Sequence, residues 1–189
     1  MSDSEPRVCP VERAGSLDSR FRRWLQNPRK ILGSHIHEGM TVLDLGCGPG
    51  FFTIEIAHMV GKSGGVIACD LQDGMLQKVR DKVQGTELEG RIRFHRCEAE
   101  KIGWSSEVDF VLAFYMVHEI PDQGGLFAEL APILKPGGQI LVVEPPFHVS
   151  KSAFERTIGL ARDAGLTPED GPKVAFSKAV ILRKPGDRG

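Results

Sequence analysis

Residues 42–53 read VLDLGCGPGFFT. A mostly apolar run of strand type, Val42 to Leu45, gives way to Gly46, Gly48 and Gly50, and Phe51 and Phe52 follow at once. Glycine loses more conformational freedom on folding than any other residue, so a loop this rich in it costs stability. Such a loop persists where the backbone must come close to something. Three ligands compete for that role: a nucleotide triphosphate, a dinucleotide with its pyrophosphate, or a molecule without phosphate.

On either side of this loop the hydrophobic pattern switches between the periods of strands and helices. TVLDL (41–45) reads as the strand that leads into the glycines. FTIEIAHMV (52–60) reads as a helix, with Phe52, Ile56 and Met59 or Val60 on one side. GVIACD (65–70) is a second strand, and GMLQKVRDKV (74–83) an amphipathic helix presenting Met75, Leu76, Val79 and Val83. RIRFHRC (91–97) alternates as a third strand, and VDFVLAFYM (108–116) is a fourth, buried on both faces. LFAELAPIL (126–134) is helical, KPGG (135–138) a turn, and QILVVEP (139–145) a fifth strand. SAFERTIGLARDAG (152–165) is a helix closed by Gly165. KVAF (173–176) and SKAVILR (177–183) form a terminal hairpin. Strands alternating with helices predict an α/β domain whose mostly parallel, seven-stranded sheet is covered on both faces. The last two strands lack an intervening helix, which predicts an antiparallel hairpin at the C-terminal edge.

Residues 1–35 differ in character and are expected to form an N-terminal arm or helical lid, with the domain proper over 36–189. RFRRWLQNPRKIL (20–32) is basic and carries Phe21, Trp24, Leu25, Ile31 and Leu32. It reads either as a helix packing its apolar face on the core or as a cover over the ligand site.

The bulk numbers restrict the function classes. A chain of 189 residues with 41% hydrophobic content suits one domain with a sizeable core. A net charge of −1 gives no general electrostatic footprint for nucleic acid or an anionic membrane. The start, MSDSEPRVCP, lacks the pattern of a signal peptide. The longest apolar run, FVLAFYMV (110–117), is too short to span a bilayer. The expectation is a soluble, cytoplasmic protein with no membrane partner and with nucleic acid disfavoured. Cys9, Cys47, Cys69 and Cys97 form no CxxC pair and read as reduced, packed thiols.

The neighbours of the glycines decide among the ligands. A P-loop needs GxxxxGK[ST], and no lysine stands at that spacing. A dinucleotide fingerprint needs a small residue at its third position, where this chain has Phe51. Asp44, inside the strand, is poorly placed beside a pyrophosphate and better placed to hold an ammonium or orient the loop. Phosphate is therefore disfavoured.

The pattern Asp44–Gly46–Gly48–Gly50, followed by Asp70 at the end of the second strand, resembles the class I S-adenosylmethionine-dependent methyltransferase family. The resemblance covers residues 36 to 183 and includes VLDLGCGPG, VIACD, CEAE and LKPGGQILVVEP in order. It implies a Rossmann-like, doubly wound sheet and S-adenosyl-L-methionine as cofactor. It places Gly46, Gly48 and Gly50 along the amino-acid and ribose parts of that cofactor, and Asp70 at the ribose hydroxyls. Leu71 and Met75 would lie against the adenine, and Glu98 with Ala99 at its edge; Glu98 departs from the aspartate common there. Asp44, Cys47, Phe51 and Phe114 complete the implied cofactor-binding set.

The acceptor side should face the ends of the fourth and fifth strands, at FYMVHEIP (114–121) and EPPFHVS (144–150). His118, Glu119, Glu144 and His148 are expected to converge there, with His118 or His148 as a base. Two histidines with two glutamates also suit a metal, but no metal is expected. Tyr115, the only tyrosine, offers a hydroxyl or a π face to a sulfonium. With no large insertion, the chain reads as a methyltransferase of a small-molecule acceptor. Around YMVHEIP it is similar to those of quinone biosynthesis. RNA or protein methylation, a non-catalytic cofactor-binding module and a nicotinamide-dependent oxidoreductase remain alternatives. The oligomeric state and the atom methylated stay open.

Overall fold

The computed structural model describes residues 26–186. Its strands are β1 (Thr41–Leu45), β2 (Gly65–Asp70), β3 (Ile92–Arg96), β4 (Val108–Phe114), β5 (Leu134–Glu144), β6 (Thr167–Asp170) and β7 (Lys178–Arg183). They form one sheet in the order β3-β2-β1-β4-β5-β7-β6. The first five strands run parallel, and β7 pairs antiparallel with both β5 and β6. The helices are α1 (Pro28–Leu32), α2 (Thr53–Met59), α3 (Asp73–Val83), α4 (Gln123–Ile133) and α5 (Lys151–Asp163).

Side chains alternate between two cores, one on each face of the sheet. Val42, Ala68, Phe110, Leu112, Phe114, Leu141 and Val143 face a cluster completed by Ile31 and Leu32 of α1, Ile56 of α2 and Leu76 and Val79 of α3. Leu43, Ile67, Val111, Ala113, Ile140 and Val142 face the opposite cluster, with Phe127 and Leu130 of α4 and Phe154 and Ile158 of α5. Burial on both faces is why these strands read as near-continuous apolar runs. Of the basic arm's apolar residues, Ile31 and Leu32 are buried; Phe21, Trp24, Leu25 and most of the expected lid lie outside the described residues.

Gly165 ends α5 in the left-handed region at φ 86°. The Gly165 amide donates to the Arg162 carbonyl, and the Leu166 amide to that of Ala161. This is the C-terminal motif that glycine permits.

The C-terminal hairpin has different strands from those expected. KVAF is not a strand; the sixth strand is TPED, Thr167–Asp170, and KVAF lies in the loop before β7. β6 is an edge strand with mostly exposed side chains, so backbone pairing with β7 defines it rather than any hydrophobic period. The Arg183 guanidinium donates to both Glu169 carboxylate oxygens across that pair, at 2.6 and 3.1 Å. KPGG is also not a separate turn. It is an irregular step within β5, between the pairs Val108–Leu134 and Phe110–Gln139, with Gly137 at φ 76°. Finally, β4 stops at Phe114, because Tyr115 takes φ 61°.

Phe127 has no exposed surface and centres the α4 side of the sheet. Truncating it leaves a large cavity as well as lost transfer energy. Phe127→Ala is expected to lower unfolding free energy by about 3–5 kcal/mol, read from the shift in urea midpoint.

Candidate functional site

The chain leaves β1 toward β2 and β3 on one side and later returns to β4 on the other, so the topological switch lies between β1 and β4. In open α/β sheets the crevice at the carboxyl ends of such strands receives the ligand. The glycine loop sits in that crevice.

Gly46, Gly48 and Gly50 adopt φ of 70°, 53° and 86°, a region that a β-carbon disfavours. A β-carbon on Gly46 would come 3.0 Å from Cβ of Met116, and one on Gly50 would come 3.0 Å from Cγ2 of Val79. Gly48 differs, since its would-be β-carbon meets nothing within 4 Å. A β-carbon at either outer glycine would thus sit tightly against the β4 exit or α3, while the middle one faces open space.

The end of β2 holds the loop in place. The Gly46 and Cys47 amides donate to the Cys69 carbonyl at 2.9 and 3.0 Å. The Gly48 amide donates to Oδ2 of Asp70, and the Gln72 amide to Oδ1, both at 2.9 Å. Burial raises the pKa of Asp70, opposed by the amides of Gln72, Gly48 and Leu71. Asp44 is buried and accepts a hydrogen bond from the Thr53 hydroxyl at 2.6 Å, tying the end of β1 to the start of α2. Of its two expected roles, orienting the loop is the one visible here. Lys82 of α3 donates to the Pro49 carbonyl at 2.8 Å. Thr53 and Lys82 were not singled out in the sequence. Thr53, at the start of a helix and near an acid, carried a faint signal, and Lys82, 33 residues from its partner, carried none.

Phe51 is buried edge-on against Phe52, Phe52 against Phe114, and Phe114 against Tyr115, with ring centroids 5.1, 4.4 and 4.4 Å apart. Met75 is also buried and Leu71 half-buried, whereas Glu98 and Ala99 are exposed. The Glu98 amide and carbonyl are engaged with Lys101 in a tight turn. The three described cysteines sit at the ends of β1, β2 and β3. Cys69 hydrogen-bonds Cys97, which raises the pKa of Cys69 and lowers that of Cys97, while burial raises Cys47. Cys9 lies outside the described residues.

On the acceptor side, residues 117–119 form a single 3-10 turn after β4. His118 donates through Nδ1 to Oε2 of Glu144 at 2.5 Å, and its backbone amide donates to Oε1 of the same carboxylate at 3.0 Å. Glu144 is 1% exposed at the end of β5. That hydrogen bond raises the pKa of His118, partly offset by burial. His148 lies with its ring nearly parallel to that of His118, centroids 6.3 Å apart. Glu119 is half-buried within electrostatic range of His118, Glu144 and Asp70, and desolvation raises its pKa. Tyr115 points elsewhere, its hydroxyl bonded to Gln26 at 2.8 Å and Ser177 at 2.5 Å. Among the described residues no group of three or more His, Cys, Asp or Glu is arranged to hold a metal ion.

Residues 42–138, just over half of the chain, match the family model of a methyltransferase domain. The chain belongs to the class I S-adenosylmethionine-dependent methyltransferases. Over 115 residues it is 31% identical to the ubiquinone/menaquinone biosynthesis C-methyltransferase UbiE of Marinomonas sp. (strain MWYL1), a match covering 60% of this chain and 46% of that protein. The corresponding protein of Pasteurella multocida (strain Pm70) is 32% identical over 112 residues, covering 59% of this chain and 42% of its own. The chain spans about half the length of the curated relatives it matches. Among solved structures, a SAM dependent methyltransferase from Aquifex aeolicus superposes with TM-score 0.81 at 27% identity, covering 93% of this chain and 99% of its own. The [4+2]-cyclase SpnF shares the fold at TM-score 0.69 and 17% identity, covering 97% of this chain and 86% of its own. The fold by itself therefore does not dictate the reaction.

The methyltransferase glycine loop makes a testable stability statement. Gly50→Ala is expected to cost about 1–2 kcal/mol for its left-handed backbone, with a further loss from the Val79 overlap. In a Val79→Ala background only the second loss should disappear. Denaturation midpoints of the four variants separate the two effects.

Proposed function

We propose that the chain transfers the methyl group of S-adenosylmethionine to a small hydroxylated aromatic acceptor of the quinol type, with His118 as the general base. The observation that carries this reading is the two-point hold of His118 by the buried Glu144 carboxylate. An acceptor that arrives already as a thiolate or metalloid anion needs no base. A phenol does, and a buried carboxylate behind an imidazole is suited to that task. The names of the relatives, C-methyltransferases of ubiquinone and menaquinone biosynthesis, point to the same acceptor class.

S-Adenosylmethionine supplies, when bound, a methyl carbon made electrophilic by the adjoining sulfonium. The residues present fit that molecule. Gly48 leaves the loop backbone open to an approaching ligand, and each Asp70 oxygen accepts one amide and keeps capacity for a ribose hydroxyl. Gly46 and Gly50 hold the loop's shape, Leu71 and Met75 would border the adenine, and Cys47, Phe51 and Phe114 would support the loop from beneath. Glu98 and Ala99 would meet the adenine edge.

With the proton of Nδ1 committed to Glu144, the lone pair on Nε2 is the basic site of the His118 ring. It takes the phenolic proton of the acceptor, which leaves a phenolate whose ortho carbon is nucleophilic. Carbon methylation must be followed by loss of the ring hydrogen from that carbon. Glu119, whose pKa desolvation raises, and His148 stand near enough to His118 to share in moving that proton to solvent.

His118 works as a base only when neutral, and Glu144 raises its pKa. The acid limb of kcat/KM should therefore lie above the ~6.5 of an ordinary imidazole. Glu144→Gln should move that limb to lower pH and reduce the plateau. In stability the sign is opposite. The His118–Glu144 pairing contributes fully below the unfolded-state pKa of histidine and is lost as pH rises through the raised folded-state value.

Two variants test the assignment. His118→Ala should lower kcat by about 10²–10⁴-fold while calorimetry shows unchanged binding of S-adenosylhomocysteine. Asp70→Asn should do the reverse, weakening S-adenosylhomocysteine by tenfold or more while the fold persists. Equal loss of both properties in His118→Ala would make that residue structural, and no binding by the intact chain would remove the cofactor reading altogether.

A further inference from the structure

Two phenylalanines stand almost wholly in solvent, Phe147 at 93% exposure and Phe176 at 85%. Among the described residues the next large hydrophobic side chain, Leu160, reaches only 37%. Full exposure of one such ring is unremarkable in itself. What matters is where these two lie.

Phe147 precedes His148, whose ring lies parallel to that of His118. Phe176 precedes Ser177, whose hydroxyl bonds the hydroxyl of Tyr115. The two loops are joined, since Nζ of Lys178 donates to the Val149 carbonyl at 2.7 Å. Their strands are joined as well, with Glu144 of β5 registered opposite Lys178 of β7. Both tips therefore stand beyond the carboxyl end of β5, at the same end of the sheet as His118 and Glu144. Neither loop holds its tip loosely. Pro145 and Pro146 stiffen the chain before Phe147, and Phe176 is held at φ 57°, a conformation costly for any residue with a β-carbon.

The charge around these tips departs from that of the whole chain. Segments 145–156 and 171–178 contain Lys151, Arg156, Lys173 and Lys178 against the single acid Glu155, although the net charge of the chain is −1. Lys151 and Arg156 border one shallow depression at the start of α5. The nearest acids on the adjoining strands are Glu144 of β5, opposite Lys178, and on β6 Glu169, paired with Arg183, and Asp170. Apolar tips flanked by cations are the composition that engages an anionic bilayer surface.

We infer that this edge of the molecule rests on an anionic lipid bilayer, with Phe147 and Phe176 inserted among the lipids and the His118–Glu144 end of the sheet directed at the membrane. The contact is peripheral; no helix among the described residues is long and apolar enough to cross a membrane. It does not depend on the identity of the acceptor, and its test does not use turnover.

The experiment is co-flotation of the full chain with vesicles of phosphatidylcholine containing about one third phosphatidylglycerol, beside pure phosphatidylcholine vesicles. The intact protein should float with the anionic vesicles, far less with the neutral ones, and dissociate in high salt. The double variant Phe147→Ser/Phe176→Ser should lose at least tenfold in partitioning while keeping its thermal midpoint and its binding of S-adenosylhomocysteine. Lys151→Glu/Lys173→Glu should lose the preference for anionic lipid. Failure of the intact protein to float, or flotation of the double variant equal to it, overturns the inference. So does a double variant whose sole change is loss of a concentration-dependent dimer in sedimentation, because the tips would then serve a second copy of the chain.

Discussion

Three successive amides, those of Gly46, Cys47 and Gly48, donate to the last two residues of β2. The rest of the site depends on this arrangement. It bends the chain sharply off the end of β1, and only left-handed backbone can follow that path. The bend is then gripped from both sides, by Met116 beyond β4 and Val79 on α3, which a β-carbon at Gly46 or Gly50 would approach to 3.0 Å. Of the three, Gly48 alone has nothing within 4 Å of a would-be β-carbon. Asp70 serves the loop and the crevice with the same carboxylate. Its position therefore fixes both the shape of the cradle and the hydrogen-bonding capacity that faces outward.

Most of the sheet was legible in the sequence because its central strands are buried on both faces. Runs such as VDFVLAF can hardly serve any other element. The misread parts have physical causes. β6 carries no apolar signal, since an edge strand with solvated side chains is defined by the backbone groups of its neighbour. KVAF, with its alternation, imitated a strand, yet its apolar members divide between buried Val174 and exposed Phe176. KPGG looked like a turn because glycine and proline usually make one, whereas here the chain stays paired on both sides of an irregular step.

The glycine loop was legible as a bend for a similar reason: Gly46, Gly48 and Gly50 stand close in sequence, and all three adopt left-handed backbone. The acceptor side was legible only as a set. His118, Glu119, Glu144 and His148 could be assigned to one pocket from the ends of two strands, but nothing in the chain ranks them. The ranking comes from β4 and β5 lying side by side in a register that pairs Phe114 with Val143. That register brings Glu144 against His118, across a separation of 26 residues. Its carboxylate engages one histidine twice and the other not at all in the hydrogen bonds described.

Tyr115 shows how the aim of that histidine is set. Regular alternation would send Tyr115 to the face opposite Phe114. Its φ of 61° turns it instead to the same face, where the two rings lie 4.4 Å apart and join the Phe51 and Phe52 wall beneath the glycine loop. The inversion costs about 1–2 kcal/mol in backbone strain. The Tyr115 amide still reaches the Val143 carbonyl at 2.8 Å, and its hydroxyl gains Gln26 and Ser177, so the strain is offset locally. After the inversion the chain enters a 3-10 turn in which both the amide and the ring of His118 address Glu144. The residue is held at two points, ring and amide, so that the ring leaves its carboxylate only by breaking the Nδ1 bond while the amide keeps the turn in place. The strained tyrosine thus marks the point where the chain leaves the strand for the turn that brings His118 to Glu144.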